Sequence, residues 1–68
     1  MKISARNQLK GKIVAVHKGA TTSHVEIEVG GNTLLASITN ESVASMGLTV
    51  GGTAYAVIKA SDVMIGID

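Results

Sequence analysis

Along residues 9–17, apolar and β-branched positions alternate with lysines in Leu9-Lys10-Gly11-Lys12-Ile13-Val14-Ala15-Val16-His17. Successive side chains of a strand point to opposite faces, so this spacing predicts a strand with Lys10, Lys12, Val14 and Val16 on one face. Lys18-Gly19-Ala20 is a turn candidate. Beyond it Val25, Ile27 and Val29 alternate with His24, Glu26 and Glu28, the two-residue period of a half-buried strand. Gly30-Gly31-Asn32 suits the positive φ angles of a tight hairpin, and residues 33–39 return as a third strand. The period breaks at Thr39-Asn40-Glu41-Ser42. Thr and Asn cap helix N-termini, Glu41 complements the positive end of a helix, and Val43-Ala44-Ser45-Met46 completes one or two turns before Gly47 stops it. Gly51-Gly52 makes another turn, 53–59 read as a fourth strand, Ala60-Ser61-Asp62 interrupts it, and 63–67 read as a fifth. Five short strands with one small helix between the third and fourth predict an all-β, OB-like Greek-key barrel. Residues 1–68 form a single domain, with no repeat, linker or proline.

A chain of 68 residues buries only about 60% of the surface it exposes when unfolded, so it needs a staple. Cysteine is absent, which removes disulfides, thiolate metal sites and thiol catalysis together. Phe and Trp are absent as well, leaving Tyr55 as the only aromatic side chain, so Val, Ile, Leu and Ala must do the packing. With 46% of residues hydrophobic and 16% charged, the chain has more apolar surface than one tiny barrel can hide, and oligomerisation is the expected staple. No window of 18 apolar residues exists, and Met1-Lys2-Ile3-Ser4-Ala5-Arg6 lacks the apolar run of a secretory leader; a cytoplasmic location is the expectation.

Net charge is only +1, yet Lys2, Arg6, Lys10, Lys12 and Lys18 all precede the first acidic residue, Glu26. Such a cationic strip suits a phosphate backbone, a small anion, or simply a solvated strand face. Three segments sharpen the choice. Ser4-Ala5-Arg6-Asn7-Gln8 holds a hydroxyl, a guanidinium and two amides, and in an extended stretch Ser4 and Arg6 point the same way. Thr39 and Ser42 offer hydroxyls at the helix start, where ordinary N-capping is the plainer role. Lys59-Ala60-Ser61 places a cation and a hydroxyl two residues apart at a strand end, or is only a surface lysine. Taken together they form a donor inventory. An oxyanion with four acceptor oxygens and no donors needs a pocket of O–H, N–H and cationic groups, and these segments supply them. Glu41 and Asp62 are the nearby carboxylates and would have to point away.

Other chemistries find less. His17 and His24 flank a turn and can approach each other, but no third ligand accompanies them, so no metal-cation site is expected. No serine sits in a nucleophile elbow with a histidine placed as its base. Neither glycine pair is followed by Lys-Ser or Lys-Thr, as a phosphate loop would be.

The run Met1-Lys2-Ile3-Ser4-Ala5-Arg6-Asn7-Gln8-Leu9-Lys10-Gly11, with Ser37-Ile38-Thr39-Asn40-Glu41-Ser42-Val43 and Val57-Ile58-Lys59-Ala60-Ser61-Asp62-Val63, resembles the molbindin (Mop) family across essentially the whole chain. The resemblance implies an OB-like barrel that assembles as a homohexamer, a trimer of dimers, and binds molybdate or tungstate without catalysing a reaction. It implies an inter-subunit oxyanion site made by Ser4, Arg6 and Lys59 with Thr39 and Ser42 of a neighbouring subunit, and with Ala5, Ala60 and Ser61 close by. A second class of site near a symmetry axis falls on Lys18-Gly19-Ala20. His17 and His24 match no family role. A pterin cofactor is not expected, because one tyrosine offers little on which to stack its ring.

Three functions follow from these residues. An oxyanion store would close its sites where subunits meet. A single-stranded nucleic-acid binder on the same fold would use the basic strip but lacks aromatic stacking platforms. A pure assembly module would leave the seams empty.

Overall fold

The computed structural model describes residues 1–68. It contains strands β1 (Asn7–Lys18), β2 (Thr22–Val29) and β3 (Asn32–Thr39), helix α1 (Asn40–Met46) and strand β4 (Thr53–Ile58), followed by a 3₁₀ turn at Ala60–Asp62. The sheet order is β3-β2-β1-β4 and every pairing is antiparallel. Three consecutive strands with a fourth returning beside the first is the Greek-key arrangement the sequence predicts.

The hairpin between β2 and β3 has a two-residue loop, since Val29 pairs with Asn32 across Gly30 and Gly31. Both glycines have positive φ, 55° and 83°, as a type I′ turn demands. Asn32 is thus the first residue of β3 and not part of the turn.

β1 serves two neighbours. Its first half, from Asn7 to Lys12, pairs with β4, and its second half, from Lys12 to Lys18, pairs with β2. A bulge between Ile13 and Ala15 bends the strand where the partner changes. The extra residue shifts the side-chain alternation, so the single face predicted for Lys10, Lys12, Val14 and Val16 does not exist. Val14 is exposed, while Val16 packs on the core with Ile13. Just before the bend, a Cβ on Gly11 would collide with the Glu28 carbonyl oxygen and lie 2.6 Å from Ile27 Cγ2 and 2.8 Å from Val29 Cγ2. Only glycine lets β1 lie this close over β2.

Ile13, Val25 and Ile27 form the buried core, with Val16, Val29, Ile38, Val43, Leu48, Ala54 and Ala56 packed around it. The helix is placed by its caps. Thr39 Oγ1 accepts from the Ser42 N–H, and Gly47, at φ 62°, returns its N–H to the Ala44 and Val43 carbonyls.

The expected fifth strand at 63–67 does not form within this chain. The turn at Ala60–Asp62, closed by Asp62 N–H to Lys59 O at 2.8 Å, carries the chain off the end of β4. Residues 63–68 then meet no strand edge with which to build a ladder, and Met64, Ile65 and Ile67 are about nine-tenths exposed. Between the free edges of β3 and β4 the barrel stays open as an apolar groove of about 650 Å³ that reaches Val25 and Ile27. Only four residues are fully buried, and the chain exposes 5257 Å². A compact monomer of this mass exposes about 4,000 Å².

Candidate functional site

The β1–β4 ladder ends at the pair Asn7 and Ile58, where Asn7 Nδ2 also donates to the Ile58 carbonyl at 3.2 Å. Ser4-Ala5-Arg6 immediately precedes this pair on one strand and Lys59-Ala60-Ser61 immediately follows it on the other. The sheet therefore gathers two segments that are more than fifty residues apart in the chain. Ser4 and Arg6 lie at bends and not in a strand, so the shared direction expected of an extended stretch is not imposed by the backbone. Gln8 Nε2 donates to the Ala5 carbonyl at 2.9 Å and holds the segment folded. Arg6, Lys59 and Ser61 are exposed, and Ala5 is half-buried. The chain's one ion pair is elsewhere, so no carboxylate neutralises Arg6 or Lys59.

Thr39 and Ser42 lie at the other end of the sheet. Thr39 pairs with Thr22, whose neighbour Ser23 pairs with Lys18 at the far end of β1. At about 3.3 Å per residue, the 12 residues of β1 trace roughly 35 Å of backbone between the two donor clusters, along a strand that the bulge bends inside a molecule 34 Å in its longest dimension. The strand pairing places the two clusters at opposite ends of the β1 ladders. Locally the hydroxyls are organised: Thr39 Oγ1 donates to Ser42 Oγ at 2.8 Å while accepting the Ser42 N–H at 3.0 Å. The Thr39 hydroxyl proton is thereby used, and the Ser42 hydroxyl proton remains to be donated elsewhere.

The Lys18-Gly19-Ala20 turn sits beside this helix start. Gly19 N–H donates to Thr22 O at 2.8 Å, and Asn40 holds the turn through its side-chain amide to Gly19 O and its backbone N–H to Thr21 O. Asn40 was legible in the sequence only as a possible cap. Its bracing role depends on β2 and β3 being paired.

His17 and His24 are directly opposed across β1 and β2. His17 Nε2 lies 2.7 Å from Glu26 Oε2 on the exposed surface. No group of three or more potential ligands comes together in metal-binding geometry.

The TOBE domain family model matches residues 3–65. A probable molybdenum-pterin-binding protein of Haemophilus influenzae is 48% identical over 69 residues, covering both chains in full. The chain belongs to the TOBE-domain family, in its molybdenum-pterin-binding (Mop) branch. Among solved Mop-type structures, a molybdate-binding protein from Sporomusa ovata superimposes with a TM-score of 0.93 at 33% identity, covering 98% of this chain and all of that one. The molybdate-bound form of ModG, described as a cytoplasmic molybdate-binding protein, gives a TM-score of 0.94 at 39% identity. The chain spans 49% of ModG's length. The Mop fold is thus shown by sequence and structure alike. No helix in this Mop chain is long and apolar enough to cross a membrane.

Proposed function

We propose that this Mop protein binds molybdate or tungstate at seams between copies of itself and so stores the anion inside the cell, with no catalytic activity and no pterin. The observation that carries this reading is the separation of its donors. Ser4, Arg6, Lys59 and Ser61, with Ala5 and Ala60 beside them, crown one end of the sheet, and Thr39 and Ser42 crown the other. Each cluster is half a site for a four-oxygen dianion: one half carries the charge, the other the hydroxyls. Pairing them requires a second subunit.

Surface supports assembly. The chain exposes roughly 1,250 Å² more than a compact monomer of its mass, above the roughly 800 Å² each partner buries in a standard interface. The tail with Val63, Met64, Ile65 and Ile67 has the alternation of a strand, and the edges of β3 and β4 are free to take a strand from a neighbour. A homohexamer built as a trimer of dimers gives every chain such neighbours. Lys18-Gly19-Ala20 then forms a second oxyanion site near a symmetry axis. One tyrosine and 13 hydrophobic groove residues suit packing better than the stacking of a pterin ring.

The test is isothermal titration of molybdate into purified protein whose oligomeric state is fixed by light scattering, with sulfate as the control. Tight binding of at least one anion per chain with no response to sulfate is the expected result. A well-folded hexamer that takes up no molybdate would refute the storage reading.

A further inference from the structure

The outward side of the β1–β4 ladder supplies no residue to the proposed seam. Its three rungs set Gln8 against Val57, Lys10 against Tyr55 and Lys12 against Thr53, all six exposed, while Gly11, Ala54, Ala56 and Ile58 alternate with them and are half-buried. Tyr55 is the chain's only aromatic residue, and a lone aromatic in a small barrel is expected in the core. The sheet does the opposite. It sets Tyr55 directly across from Lys10, and although Tyr55 also lines the apolar groove, the residue stays 49% exposed. Lys10 and Lys12 project from the same face two residues apart, roughly 6.6 Å along the strand, close to the phosphate repeat of an extended single strand. Glu28 borders this face across from Lys12, but the chain's one ion pair joins His17 to Glu26, so both lysines keep their charge unpaired.

We propose that this face binds single-stranded nucleic acid, with successive phosphates on Lys10 and Lys12 and one base stacked on the Tyr55 ring. The inference stands apart from the storage reading above. A single strand offers what the face lacks: regularly spaced negative charge beside flat, unstacked rings. A duplex keeps its bases stacked inside, and a polyanion without rings leaves Tyr55 unused. With one stacking platform and two cations per chain, the contact is weak and tolerant of sequence, and a strand that reaches several copies in an assembly gains by avidity. No side chain on the face reads a base edge, so recognition rests on charge and stacking alone.

The experiment is fluorescence anisotropy of a labelled oligothymidylate titrated with the purified full-length protein over a range of salt, with a duplex of equal length and dextran sulfate as controls. Binding that weakens as salt rises, and that favours the single strand over both controls, is the expected result. Lys10→Gln with Lys12→Gln is expected to flatten the log–log salt slope by about 0.7 for each phosphate contact removed. Tyr55→Ala is expected to weaken binding by about fivefold or more with the salt slope unchanged, a loss that charge alone does not produce. Tyr55→Trp keeps a stacking ring and, in a chain with no other tryptophan, is expected to retain binding and to show quenching of its indole as the oligonucleotide is added; this reading serves if Tyr55→Ala does not fold. Absence of salt-sensitive binding overturns the proposal. So does equal binding of dextran sulfate with no effect of Tyr55→Ala, which is charge attraction only. Binding lost in Arg6→Ala but kept in the Lys10→Gln, Lys12→Gln double variant would move the contact to the strand end and overturns it as well.

Discussion

Asn7 and Ile58 face each other at the last rung of the β1–β4 ladder, and the Asn7 side chain closes that rung with a second bond to the Ile58 carbonyl. The next residues out along the two chains are Arg6 and Lys59, both exposed and neither in an ion pair with a carboxylate. An anion bound there would take a charge-assisted hydrogen bond from each. Arg6→Ala and Lys59→Ala are each expected to lower molybdate affinity by about tenfold or more, the worth of a hydrogen bond to a charged group, while the oligomer persists. Titration calorimetry with light scattering on the same samples checks both halves. Undiminished affinity in both variants would place the site elsewhere.

In the proposed oxyanion store, binding and stability are linked, since a ligand that binds only the folded assembly stabilises it. Molybdate at one hundred times its Kd is expected to stabilise the protein by about 2.7 kcal/mol, with sulfate giving no comparable shift. Melting curves at rising anion concentration read this directly, and an unchanged midpoint at millimolar molybdate contradicts it.

Gly11 is fixed by packing and not by φ. Gly11→Ala forces its Cβ into the Glu28 carbonyl and the Ile27 and Val29 methyl groups, and is expected to cost about 1–3 kcal/mol. Urea unfolding measures the loss. A variant as stable as wild type would mean β1 and β2 can separate there freely.

Thr39 has a structural duty besides its proposed role at the seam. Thr39→Ala removes the oxygen that accepts the Ser42 N–H, and is expected to cost about 1 kcal/mol in the anion-free protein. Thr39→Ser keeps the cap and is expected to recover both stability and molybdate affinity. Loss of affinity that serine does not restore would implicate the Thr39 methyl group instead.

The tail is where assembly is most exposed to test. Truncation after Asp62 removes Val63 and three large apolar side chains, Met64, Ile65 and Ile67, that touch little of their own chain. Sedimentation is expected to show smaller species than the full-length protein forms, with the β-sheet signal retained. An assembly unaltered by the truncation would show that the tail is not part of the proposed seam.

Local chemistry made most of this fold legible in the sequence. The alternation around Val25, Ile27 and Val29 marked β2, two glycines with positive φ marked the hairpin, and Thr39 and Gly47 marked both ends of α1, because each signal acts within a few residues. The donor residues were legible by type, since an oxyanion demands O–H, N–H and cationic groups wherever they fall. Three features were decided only in three dimensions. The bulge after Ile13 turned Val16 inward and Val14 outward, since partner strands and not the two-residue period set the register there. The apolar alternation of 63–67 was sufficient for a strand but not for a ladder, which needs a free edge within reach. The grouping of Arg6 with Lys59, their distance from Thr39 and Ser42, and the bracing of Gly19 by Asn40 depend on which strands pair, a long-range outcome that no local run of residues encodes.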